Sequence, residues 1–234
     1  MKRFALFLAL SAPVVSQSEV PLAERRSGYE FMSRETRAMQ DDEITGPAVL
    51  TLLDGEALWS KLGCGGCHTN MKGVAARYPA MVDGKLTTLE QQVRHKAPQL
   101  AYESRDLLAL TAYVARQSKG LPIEVKPAQP HLDAGKAFFH RRQGQLHLAC
   151  AQCHDDNWGK KLAGTPVPLA HPTGYPLYRL EWQGVGSLTR RLRNCLTGMR
   201  AELYPHGAPE LVDLELYLMW RARGMKMEAP AVRP

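Results

Sequence analysis

After Val15 the sequence has no apolar run long enough to cross a bilayer, which takes about 20 residues, so no membrane span is expected in the mature chain. Clustered positive charge is also lacking. The 30 Lys and Arg are scattered among 23 Asp and Glu, and the formal net charge is +7. That scatter argues against a nucleic-acid partner, although a basic chain can meet anionic small molecules, acidic proteins or membrane surfaces. Spare cysteine is missing as well: four of the five sit in two short motifs, and Cys195 alone has no obvious use. The remaining composition, 44% hydrophobic and 23% charged, is ordinary for a globular protein. Sixteen prolines and nineteen glycines point to many loops and short elements.

The first residues, MKRFALFLALSAPVVSQSEV, combine a basic start (Lys2, Arg3), an apolar run from Phe4 to Val15, and small polar residues. This is the three-part pattern of a secretory signal, too short in its apolar part to be a span. Cleavage after Ser16 would remove Lys2 and Arg3 and lower the formal charge from +7 to +5. The expected location of the mature chain is the periplasm.

Cys64, Cys67 and His68 form C-x-x-C-H, and Cys150, Cys153 and His154 form it again. In an exported chain that spacing reads as covalent haem attachment: two thiols add to the haem vinyl groups and the adjacent His supplies a nitrogen ligand to iron. Zinc would want a closed set of four converging ligands, which these motifs do not provide. Two covalently bound c-type haems are therefore expected.

The surroundings of the motifs repeat. DGEALWSKLGCGGCH (54–68) resembles DAGKAFFHRRQGQLHLACAQCH (133–154), each with Gly-x-Ala and an aromatic before the cysteines. TLEQQVRHK (88–96) parallels SLTRRLRNC (187–195), and LLALTAYVARQSKG (107–120) parallels LVDLELYLMWRARG (211–224). Apolar residues three and four apart mark amphipathic helices, and the closing Gly suits a C-terminal cap. The expected fold is mainly α: two c-type cytochrome domains related by an internal repeat, with loop-rich insertions. The boundaries read as a signal at 1–16, an N-terminal extension at 17–53, a first domain at 54–120, a Pro-rich linker at 121–132 and a second domain at 133–234. The second domain carries a long insertion, DDNWGKKLAGTPVPLAHPTGYPLYRLEWQG, that reads either as loops walling a haem edge or as surface decoration.

A haem used for electron transfer needs a second axial ligand. In the repeat register Lys96 of the first unit aligns with Cys195 of the second, and His95 with Asn194. Cys195 could be a small buried residue, but a disulfide has no free partner left. Arg191 lies four residues earlier, on the same face of a helix, where a guanidinium lowers a thiol pKa and binds an oxyanion bidentately. Arg190 and Arg193 read more simply as a solvated face.

Together RRQGQL, CAQCHDDNWG, HPTGYPLYRLEWQ, RRLRNC and LELYLMWRARGM resemble the SoxA family, the larger subunits of SoxAX cytochromes, from about Ser27 to the C-terminus. The resemblance implies that Cys195 is a haem ligand, carries an extra sulfur as a persulfide and is the catalytic residue. It implies that Arg191 binds substrate, aided by a basic residue near the final helix, Arg221 or Arg223. The implied reaction joins thiosulfate to a cysteine of the carrier SoxYZ, with electrons passing to the partner subunit SoxX. One departure stands out: where dihaem members usually have a second ligating Cys, this chain has RHK, so His95 or Lys96 would take that place, with Met71 and Met81 as other candidates. Two other functions fit parts of the pattern, a dihaem electron carrier and a thiosulfate dehydrogenase forming tetrathionate. Neither the carrier reading, with Met or His on both haems, nor the dehydrogenase, which needs no SoxYZ, accounts for the full SoxA-like C-terminal block.

Overall fold

The structure is a computed structural model, and it describes residues 20–234. The expected signal at 1–16 lies outside the described residues. The chain is mainly helical, as the periodicity predicts. In the first half α1 (Arg34–Asp41), α2 (Val49–Lys61), α3 (Leu89–Lys96) and α4 (Arg105–Arg116) follow one another, with a two-stranded hairpin, β1 (Ala80–Val82) and β2 (Lys85–Thr87), before α3. The second half repeats the order with α5 (His131–His140), α6 (Cys150–His154), α7 (Leu188–Gly198) and α8 (Pro209–Arg221). Here a small exposed hairpin, β3 (Lys161–Leu162) and β4 (Thr165–Pro166), is followed by β5 (Leu177–Arg179) and β6 (Gly184–Gly186). The C-terminal β7 (Val232–Arg233) joins β5 in parallel to complete a three-stranded sheet.

The two halves share a frame because their sequences repeat the same packing solution. In the first half α2 crosses α4 at a glycine, and in the second α5 crosses α8 at another. A Cβ on Gly55 would sit 2.2 Å from the Ala109 carbonyl oxygen, and one on Gly135 2.0 Å from that of Asp213. The next contacts are also equivalent, to Cβ of Tyr113 and of Tyr217. Only glycine lets the two backbones approach this closely. Thr88 and Ser187 cap α3 and α7 in the same way, each hydroxyl accepting the backbone N–H three residues on. Gly120 and Gly224 both adopt left-handed backbone (φ 79° and 82°) just past the final helices, where a side chain would be strained.

Helices α4 and α8 are less amphipathic than their spacing predicts. Leu211, Val212, Leu214, Leu216, Tyr217, Leu218 and Met219 are all buried, so α8 is covered on nearly every side. It forms the axis of a core that continues through Phe138, Phe139 and Leu196 to Leu86 and Ile123 of the first half. Full burial of a Leu or Phe contributes roughly 1.5–3 kcal/mol.

Residues 121–132 connect the halves as an ordered strap. Ile123 and Val125 are buried, and backbone bonds run from Ile123 N–H to the Met225 carbonyl and from Met227 N–H to that of Leu121. The N-terminal extension crosses the molecule and packs on the second half. Ser27 donates to Glu228, Phe31 meets Trp158 edge-on at 6.1 Å, and Gln40 accepts from Val232 N–H.

The glycine crossing yields a stability test. Gly135→Ala should lower the unfolding free energy by at least about 2 kcal/mol, because carbonyl and methyl cannot share the space. Gly198→Ala, in α7 with nothing within 4 Å of the new methyl, should be neutral or stabilising. Denaturant titration of the two variants checks the contrast.

Candidate functional site

The second C-x-x-C-H motif forms α6, and Cys150 and His154 of it line a cavity of about 1070 Å³, solvent at its mouth included, with Cys153 just outside the lining. One wall is a single face of α7: Leu188, Arg191, Leu192 and Cys195, at positions i, i+3, i+4 and i+7. The fifth cysteine therefore faces the cavity on the stripe that also carries Arg191. Leu214 and Leu218 of α8 and Phe139 of α5 line it as well, so the helix crossing at Gly135 sets that wall. Leu177 and Arg179 enter from β5, while Tyr178 between them faces away, as strand alternation requires.

His154 is held with one ring nitrogen committed. Its Nδ1–H donates to the Pro168 carbonyl at 2.7 Å, which leaves Nε2 as the ring nitrogen not committed to the backbone. Opposite it, Cys195 hydrogen-bonds the His154 side chain. Burial pushes the Cys195 thiol up, but the His154 hydrogen bond and the Arg191 guanidinium outweigh it, and the thiol lies below its ordinary value. Burial pushes the neighbouring Cys150 thiol the other way, up to about 12. A pair of thiols beside an imidazole whose far nitrogen is anchored, in an apolar cavity with a sulfur opposite, fits a covalently held haem. Cys150 and Cys153 would attach it and His154 and Cys195 would face its iron.

The first motif is far more open. Cys64–Gly66 forms a short 3-10 turn, Cys67 and His68 are exposed, and a Cβ on Gly66 would meet nothing within 4 Å. Trp59 lies beside His68 with ring centroids 6.1 Å apart. His95 and Lys96 stand exposed at the end of α3, and among the described residues neither bonds to His68. Met71 is half-buried and Met81 exposed.

Arg221 and Arg223 do not line the Cys195 cavity. Arg221 is clamped by Asp155, next to the haem motif, through contacts of 2.6 and 3.2 Å, and its guanidinium lies 4.6 Å from the centre of the Phe139 ring. Arg223 stacks on Trp220 at 3.7 Å. Both border a neighbouring cleft.

Reading the sequence missed several residues that line the cavity. Arg179, Tyr175 and His171 all lie in the insertion after the motif, whose later part, from Thr165 onward, walls the site while β3 lies on the surface. The only available signal was local: Tyr-Pro precedes a hairpin in both halves, at Tyr78–Pro79 and Tyr175–Pro176. Tyr175 is pushed up to about 12 by burial, against the pull of Arg191. His171 is buried and donates from Nδ1 to the Arg26 carbonyl at 2.8 Å, and burial pushes its pKa down to about 4.

The frame and its motifs define a c-type cytochrome built of two related units. Comparison with known proteins carries the definition further. The SoxA/TsdA cytochrome c domain matches residues 54–123 and 134–227. The L-cysteine S-thiosulfotransferase subunit SoxA of Pseudaminobacter salicylatoxidans is 33% identical, over 91% of this chain and 82% of its own length. The SoxA subunit of Rhodovulum sulfidophilum is 31% identical, over 94% and 86%. The crystal structure of SoxXA from P. pantotrophus superposes with a TM-score of 0.86 at 28% identity, covering 90% of this chain and 87% of that one. The chain belongs to the SoxA/TsdA cytochrome c family, within its SoxA branch. Covalently bound haem comes with that membership. No helix among the described residues is long and apolar enough to cross a membrane.

The buried imidazole gives a pH test. His171 titrates near 6.5 when unfolded and near 4 when folded, so below pH 6.5 the unfolded chain binds the extra proton. Stability present above pH 6.5 should be lost as pH falls toward 4, by up to about 3 kcal/mol. His171→Asn, which keeps a donor for the Arg26 carbonyl, should flatten that decline in urea titrations at pH 7, 5.5 and 4.5. An unchanged slope would remove His171 as its source.

Proposed function

We propose that this chain is the catalytic cytochrome subunit of an L-cysteine S-thiosulfotransferase, coupling thiosulfate oxidatively to a cysteine of a SoxYZ carrier protein. One arrangement carries the reading: Cys195 faces His154 inside a walled cavity, with Arg191 one turn before it on the same helix face. Its relatives bear that activity in their names, and the SoxXA likeness supports a SoxX subunit as partner. Two covalent haems would be held, one by Cys64, Cys67 and His68, the other by Cys150, Cys153 and His154 together with Cys195. The distal position of the first falls to the end of α3, at His95 or Lys96. The signal-like N-terminus directs the chain to the periplasm.

When bound, the second haem supplies a one-electron redox centre beside the Cys195 sulfur. The residues of the chain do the rest. Arg191 holds the sulfonate end of thiosulfate through charge-assisted hydrogen bonds and turns the sulfane sulfur toward Cys195. A bond forms between the sulfane sulfur and the sulfur on Cys195, its own Sγ or the outer atom of a persulfide, with loss of two electrons to SoxX. The carrier thiol, its proton lost to solvent, then attacks the sulfane sulfur. The bond to the Cys195 sulfur breaks, that sulfur leaves as a thiolate, and the carrier keeps an S–SO₃⁻ group.

Cys195→Ala should reduce thiosulfate-dependent modification of the carrier to background while both haems stay attached. Intact-mass analysis reads both quantities, and on the wild type it should find an additional sulfur on the peptide containing Cys195. Low-temperature EPR should give a low-spin thiolate-type signal that the variant lacks. Tetrathionate formed at the same rate without any carrier would instead identify a thiosulfate dehydrogenase.

A further inference from the structure

Three arginines at the second-half site are almost equally buried, with side-chain exposures of 11% for Arg179 and 12% for both Arg221 and Arg233. Two of them are neutralised. Asp155 takes both terminal nitrogens of Arg221, and Glu228 and Gln40 take those of Arg233. Arg179 is different. Its one ionic contact is Nη2 to Glu181 at 2.8 Å, and Glu181 is 59% exposed, so water screens that carboxylate. The Arg179 Nε–H is buried with no hydrogen-bond partner among the described residues. An unmade hydrogen bond on a buried guanidinium costs stability, so such a group calls for an acceptor. Arg221 also has an unpartnered Nε, but its charge is already answered and it does not line the cavity.

The placement of Arg179 is fixed from three sides. Its strand, β5, lies between β6 and β7, with Arg179 opposite Gly184 and Arg233. The guanidinium stands 5.3 Å from the centre of the Trp182 ring, whose neighbourhood also holds Arg190 at 4.4 Å. From there it opens into the cavity that α7 closes on the opposite wall with Arg191 and Cys195. Arg191 has no carboxylate partner among the described residues, and the one facing Arg179 is exposed. Two guanidiniums that face one cavity with only a screened carboxylate beside them repel each other, unless an anion lies between.

We propose that Arg179 is a second anion-binding residue of this site, which pairs with Arg191 to select a doubly charged tetrahedral oxyanion over a singly charged one. The proposal rests on the thiosulfotransferase reading and names a specificity determinant for it. Arg191 and Arg179 would grip the sulfonate oxygens from the helix wall and the strand wall, and the planar fork of each suits two parallel hydrogen bonds.

The test uses the haem-loaded protein with its SoxX partner, wild type against Arg179→Gln and Arg179→Lys. In Arg179→Gln the KM for thiosulfate should rise at least about tenfold while kcat stays within about threefold, the mark of lost uniform binding. Competitive inhibition by inorganic sulfate, a dianion, should weaken by a similar factor, while inhibition by methanesulfonate, a monoanion of the same shape, should change little. Arg179→Lys keeps the charge but not the fork and should fall between. A merely structural role would lower haem content or move kcat, and would leave the sulfate-to-methanesulfonate ratio unchanged. That result overturns the proposal, as does a wild-type KM in either variant; if the Gln variant fails to fold, the Lys variant decides. Should Cys195→Ala retain activity, the thiosulfotransferase reading fails instead, whatever Arg179 does.

Discussion

The close crossing of α5 and α8 at Gly135 is the constraint from which the second half is built. With no side chain at that point, the backbones touch, and everything one turn away is placed by the contact. Phe139, four residues on, is driven into the core and forms part of the cavity wall. From α8, Leu214 and Leu218 close the same wall, and Arg221, one turn further, meets Asp155 directly after the haem motif. The first half obeys the same rule at Gly55. The repeat is thus a repeat of one packing contact, and sequence similarity between the halves is densest where that contact demands it.

A shared frame does not give a shared environment. Both additions at the chain ends, the N-terminal extension and β7, pack on the second half, and the insertion after the second motif adds a further wall. Consequently His154 is anchored to a carbonyl and faces a sulfur in an enclosed cavity, whereas His68 is exposed on a short turn. In the enclosed site solvent screens less, so fixed charges act strongly on the thiol. Burial by itself would make Cys195 a poor thiolate. The hydrogen bond from His154 and the charge of Arg191 reverse that, because α7 presents Arg191 and Cys195 on one stripe facing the cavity that His154 of α6 also lines.

Much of this was legible in the sequence, and for a physical reason. Helical elements leave local signatures, so the periodic spacing, the closing Gly120 and Gly224 and the two C-x-x-C-H motifs all announced themselves within a few residues. The i, i+4 relation of Arg191 and Cys195 belongs to the same class. Features that depend on pairing across long separations did not show. β5 meets β7 some fifty residues later, the strap at 121–132 is buried only because Met225 and Met227 return to it, and the extension crosses to the far half. Arg179 and His171 lie in the insertion, which has no helical period; its Tyr-Pro and hairpin recur in the first half, but that hairpin carries no Arg, so neither the repeat nor the spacing could single them out.

The arginines make the same point in chemical terms. Arg179, Arg191, Arg221, Arg223 and Arg233 are equivalent letters, and the family resemblance pointed to Arg221 or Arg223, near the final helix, as a companion for Arg191. In the folded chain their partners separate them. A guanidinium clamped by a buried carboxylate has a structural role already, and offering it a second anion would mean giving up a satisfied ion pair, at a cost of several kcal/mol. Arg221 and Arg233 are in that position; Arg191 and Arg179 are not. A positive cavity wall is therefore not a matter of how many basic residues lie nearby, but of which of them lack a full answer to their charge. By that criterion the wall facing Cys195 is built from one arginine of a helix and one of a strand.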